Sequence, residues 1–299
     1  MNNYTFTKQN DLFPTIDNRY RFYINDDLLY DCIGIGRNCS HDPKRVTGFN
    51  AGKQFGYALL TYFTTRALNI HRIPFCEDRI YCNYFNNHSN YNNILSEIDI
   101  DRMESICNEI NKLYQNTQSH LKEKSIDHVY LGRKISGIGG KNSCYAKSII
   151  EMKRAAEITG LTSLKIEMDT LNSFSDEGGY SGDIFLEMKI PAKDIFYCSN
   201  LIANRSGKSE TVETGEWVVL NRSPTGVVKL PISSIHIDYS NWKEIPPMTT
   251  QDAKIVLENY SPFVIRELYR TEPTYNPNRI HTSLKGRFLS FLLKKIYNY

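Results

Sequence analysis

Between residues 163 and 237 the chain carries a succession of short β-prone runs, and these constrain its fold more than any other feature. They are SLKIEMDT (163–170), GDIFLEMKIP (182–191), DIFYCS (194–199), EWVVLNR (216–222) and GVVKLPISSIHI (226–237). In the second, Ile184, Leu186, Met188 and Ile190 alternate with Phe185, Glu187 and Lys189. That two-residue period predicts a half-buried strand. Helices come first. DIDRMESICNEINKLYQNTQSHLKEK (99–124) places Met103, Ile106, Ile110 and Leu113 three or four apart, so it reads as an amphipathic helix. Asp99 or Asp101 can cap its start, and Lys122 and Lys124 suit its end. CYAKSIIEMKRAAEIT (144–159) is a second amphipathic helix, closed by Gly160. Between the two helices, HVYLGRKI (128–135) reads as a strand and GIGG (137–140) as a turn. Helices segregated from antiparallel strands define an α+β chain.

Three regions follow. Residues 1–98 form a mixed helical region, an accessory or a part of the site, in which GKQFGYALLTYFTTRALNI (52–70) reads as a buried helix. CNYFNNHSNYNN (82–93) reads as an exposed loop. Gly34 and Gly36 make a lone GxG, a weak dinucleotide signal, and a plain turn is the better expectation. Residues 99–240 form the core. Residues 241–299 form a helical extension ending in GRFLSFLLKKIYNY (286–299), a basic amphipathic stretch. It suits packing against the core better than an anionic membrane.

Bulk properties exclude several classes. A net charge of +3 over 299 residues carries no nucleic-acid signal. The chain shows no signal-peptide pattern and no apolar run of about 18 residues. A soluble protein is expected. The seven cysteines lack a CxxC pair, which favours free thiols in a reducing cytosol, reached after secretion if another kind of export signal is used. His71, Cys76, Cys82 and His88 fit no familiar zinc spacing, so no metal is expected.

Three features of the β-rich half supply candidate chemistry. Arg133 ends a strand, Ser173 and Ser175 lie in LNSFSDE, and Glu216 opens EWVVL. An arginine holds a diphosphate with a fixed fork of donors. A serine hydroxyl can orient a carboxylate. A carboxylate beside an anomeric carbon stabilises an oxocarbenium-like transition state and can accept a hydrogen bond from a sugar 2-hydroxyl. If the leaving group is the neutral nicotinamide of NAD, no acid has to protonate it, and catalysis is positioning and charge stabilisation.

The order strand-Arg, Ser-x-Ser, loop and Glu leading an apolar strand resembles the arginine–serine–glutamate class of mono-ADP-ribosyltransferases. That class includes cholera-toxin-like and C3-like bacterial toxins and virulence effectors. LNSFSDE is similar to the family's Ser-Thr-Ser strand, with Phe174 at the middle position. The resemblance runs from about residue 100 to residue 237. It implies a split antiparallel β-sandwich around an NAD cleft, and a transferase (a glycosyltransferase moving a pentosyl group) with NAD as substrate. Glu216 would be the catalytic glutamate and Ser173 its orienting residue. Arg133, with Gly132, Ser173 and Ser175, would bind NAD. The loop 203–215 would recognise a macromolecular acceptor, with a protein favoured. Members that modify arginine usually carry Glu two residues before the catalytic one, whereas this chain has Thr214; Glu213 falls on the other face if the strand extends back. An acceptor other than arginine is therefore expected. Two alternatives remain: an NAD glycohydrolase, with water as acceptor, and a binding module of the same fold with an idle site.

Overall fold

The structure is a computed structural model that describes residues 21–38, 49–70, 95–135, 143–175, 184–203, 216–237, 239, 247–260 and 263–265. Its helices are α1 (Asp27–Asn38), α2 (Phe49–Leu68), α3 (Ile100–Glu123), α4 (Ser143–Thr159) and α5 (Thr250–Tyr260). Its strands are β1 (His128–Ile135), β2 (Ser163–Met168), β3 (Leu171–Ser175), β4 (Ile184–Pro191), β5 (Ile195–Cys198), β6 (Glu216–Leu220), β7 (Val227–Pro231), β8 (Ile235–Ile237) and β9 (Phe263–Ile265). The chain is therefore α+β. A six-stranded sheet runs in the order β5-β6-β3-β1-β4-β8 with every pair antiparallel. A second sheet, β7-β2-β9, pairs β2 antiparallel to β7 and parallel to β9.

Two cores flank the large sheet. On one face, Val129, Leu131, Phe174, Leu186, Trp217 and Val219 pack with α4, α5 and the small sheet. On the other, Leu171, Phe196, Tyr197, Val218 and Leu220 pack with α1, α2 and α3. Residues before the expected core thus build one wall of it. Buried Glu109 of α3 holds this wall by accepting from the backbone N–H of Asn25 at 3.0 Å and of Asp26 at 3.3 Å.

Local chemistry explains most element ends. Asp99 caps α3 by accepting from the N–H of Arg102 at 2.7 Å, as expected. Gly160 follows α4 with φ +73°, the left-handed conformation that suits glycine. Pro191 and Pro231 each end a strand and lead into a single 3₁₀ turn. The second turn divides the expected run 226–237, so β7 joins the small sheet and β8 the large one.

Other differences are instructive. Gly34 and Gly36 lie inside α1, not in a turn; the amphipathic packing of Leu29, Cys32 and Ile33 outweighs two glycines. The C-terminal extension is not wholly helical, because β9 adds a strand to β2. The candidate zinc residues, the Asn-rich loop and the basic C-terminal stretch lie outside the described residues. Among the described residues, no group of three or more His, Cys, Asp or Glu could hold a metal ion. Among them, too, no helix is long and apolar enough to cross a membrane. Cys32 and Cys198 are buried and Cys107 is half-buried, and none of the three is in a disulfide.

Candidate active site

Two chain crossings between the sheets bring Ser173 to Glu216. The chain leaves the small sheet after β2 and enters the large one at β3; it returns between β6 and β7. Buried Asn221 joins the crossings. Its N–H donates to the Thr170 carbonyl at 2.8 Å, and its side-chain amide donates to the carbonyls of Met168 at 3.2 Å and Gly226 at 2.9 Å. Satisfying these buried carbonyls pins β3 and β6 side by side.

The register then sets the faces. Position 175 pairs with Glu216 and Ser173 with Val218, so Ser173 and Glu216 share one face. Ser173 is buried, Glu216 is half-buried at the first position of β6, and the Ser173 hydroxyl donates to Glu216 Oε1. Ser175 pairs with Gly132 on its other side, and Gly132 pairs with Glu187. A straight row therefore crosses four strands: Glu216, Ser175, Gly132, Glu187.

Gly132 has a steric reason. A Cβ built there would lie 1.9 Å from Cζ of the buried Phe185 ring. The space that glycine leaves open over β1 is filled by an aromatic ring.

Arg133 sits differently. It pairs with Leu186, and it shares its pleat with Val129 and Leu131, all three in the core on the reverse face. Strand alternation sends Arg133 away from the face of Ser173 and Glu216. The structure thus brings the serine and the glutamate together and leaves the arginine half-buried on the adjoining strand's other side. Thr214, Glu213 and the expected recognition loop from residue 204 onward lie outside the described residues.

Two further residues, absent from the sequence reading, complete the surroundings of Glu216. Its backbone N–H donates to the hydroxyl of buried Ser199 at 3.0 Å. The phenol of buried Tyr197 is pushed well above its ordinary pKa, chiefly by burial and next by the Glu216 charge, so it stays protonated. Nothing in DIFYCS marks either residue, because their placement depends on an irregular pairing with β6.

No protein-family model matches the chain, and neither a curated protein nor a solved structure matches it.

Proposed function

We propose that this protein is an NAD-dependent mono-ADP-ribosyltransferase in which Glu216 is the catalytic carboxylate. The observation that carries the reading is the Ser173 hydroxyl donated to a half-buried Glu216 at the opening of a strand. A donated hydrogen bond takes up one carboxylate oxygen and fixes its direction. In this reading the carboxylate so oriented meets the 2-hydroxyl of the nicotinamide ribose.

In this reading the bond between nicotinamide and ribose C1 breaks, and its electron pair leaves with the nicotinamide nitrogen. The positive charge that develops on the ribose is stabilised by Glu216. A nucleophile then attacks C1, loses its proton and becomes ADP-ribosylated. The α+β sheet architecture is compatible with the ADP-ribosyltransferase-like split sandwich that the resemblance implies. Arg133, which the resemblance would place on the diphosphate, stands on a pleat that faces away from Glu216, and the reading rests on Ser173 and Glu216 without it.

The test is nicotinamide release from NAD by the wild type, Glu216→Gln and Glu216→Ala, with label transfer from radiolabelled NAD to lysate proteins or RNA. Both variants are expected to lose on the order of 10²–10³ in kcat while remaining folded. Wild-type rates in both variants, or no release by the wild type, overturn the reading. Release without label transfer assigns water as the acceptor and makes the protein an NAD glycohydrolase.

A further inference from the structure

The strand on the far side of Glu216 is irregular in a way that bears on the carboxylate. Ile195 of β5 pairs with Val219, but Tyr197 pairs with Val218. Two residues of β5 therefore span one of β6, which is a β-bulge, and bulges re-aim side chains. Regular alternation would keep Tyr197 on the face of Ile195. Instead Ile195 and Cys198 enter the core beneath α4, while Phe196 and Tyr197 both enter the core beneath α3. Those two rings meet edge to face, with centroids 5.0 Å apart. The register beyond the bulge pairs Cys198 with Trp217. One step further, Ser199 stands opposite Glu216 and accepts its N–H.

Glu216 is thus held from both neighbouring strands. Ser173 on β3 donates to its carboxylate, and Ser199 after β5 accepts from its backbone. Tyr197 and Ser173 flank Val218 on the same face of the sheet, the face that carries Glu216. We propose that the β5 bulge is a positioning device, in which Ser199 anchors the Glu216 backbone and the buried Tyr197 backs the face on which Ser173 holds its carboxylate.

The anchor matters because Glu216 is a terminal strand residue, and strand ends fray unless tied. A Ser199 side chain without its hydroxyl leaves the Glu216 N–H without its acceptor and frees the carboxylate to drift from the ribose. A displacement of about 1 Å at a reacting centre can cost about a hundredfold in rate. This inference rests on the reading of Glu216 as the catalytic carboxylate.

The experiment compares wild type, Ser199→Ala, Ser199→Thr and Tyr197→Phe by two readouts. The first is hydrogen exchange at the Glu216 amide, with the Val218 amide as an internal reference. The second is nicotinamide release, resolved into kcat and KM. In Ser199→Ala, Glu216 exchange is expected to rise about tenfold relative to Val218, as for one lost hydrogen bond. Its kcat is expected to fall between about tenfold and a hundredfold with KM for NAD unchanged within about twofold. Ser199→Thr keeps the hydroxyl and is expected to restore most of both. Tyr197→Phe is expected to lower kcat while leaving Glu216 exchange unaltered. A purely structural role predicts parallel gains in exchange at both amides and no kcat–KM split. Unchanged Glu216 exchange in Ser199→Ala overturns the anchor, and unchanged kcat in both Ser199→Ala and Tyr197→Phe overturns the positioning role. Absence of nicotinamide release by the wild type sinks the reading of Glu216 and the positioning role with it; the exchange arm then still decides whether Ser199 ties the strand end.

Discussion

Replacing Gly132 by alanine tests the packing over the central strand. The added Cβ would lie 1.9, 2.5 and 2.9 Å from three atoms of the Phe185 ring, which is 3% exposed. Contacts that short cannot be held, and a ring buried on all sides has no free path of retreat. Overpacking of this kind costs about 1–3 kcal/mol. At about 3 °C per kcal/mol for a chain of this size, thermal unfolding should fall by about 3–9 °C. A double-mutant cycle isolates the cause. Phe185→Ala alone should cost about 3–5 kcal/mol through the cavity it leaves. In that background Gly132→Ala meets no ring, and it should be neutral or stabilising by up to about 1 kcal/mol, because alanine suits a strand interior better than glycine. The two substitutions should therefore couple by about 2 kcal/mol. Equal costs for Gly132→Ala in both backgrounds, by chemical denaturation, refute the steric argument and reopen the alternative that the glycine makes room for NAD.

Two further outcomes are expected. Glu109→Ala strips the acceptor from two backbone N–H groups and should cost about 2–3 kcal/mol by urea unfolding, with faster hydrogen exchange at Asn25 and Asp26; Glu109→Gln keeps one oxygen and should lose less, so equal losses refute the assignment. Burial lowers the His236 pKa, Glu187 opposes this, and Lys153 adds to it. A depressed folded pKa means the unfolded chain takes up the proton first, so stability is present above the unfolded value near about 6.5 and is lost as pH falls through the folded one. His236→Gln should flatten that loss between about pH 7.5 and about pH 5, measured by denaturant midpoints, and an unchanged slope refutes it.

Much of the fold was legible locally. HVYLGRKI became β1 with the bounds read from the sequence, and the helix from 99 to 124 became α3 with Asp99 as its cap. Such elements depend on side-chain period and capping, which neighbours in sequence supply. LNSFS was legible as a strand only through the resemblance, since its composition suits a turn equally well. The Ser173–Glu216 contact was foreshadowed the same way, by residue types and order, not by periodicity.

What the sequence by itself determined is most of the inventory: the strands and helices with a clear side-chain period, though not α1 or β9, and that a serine and a carboxylate were available to meet. Only the tertiary structure decided the pairings. The crossings stitched by Asn221 put β3 beside β6, the β1–β4 register turned Arg133 to the reverse face, and the bulge in β5 turned Tyr197 to the face that carries Glu216. The physical reason is that a strand's period names two faces without saying which one a partner will cover. A one-residue shift in pairing exchanges them, and that shift is set by contacts between residues far apart in the chain.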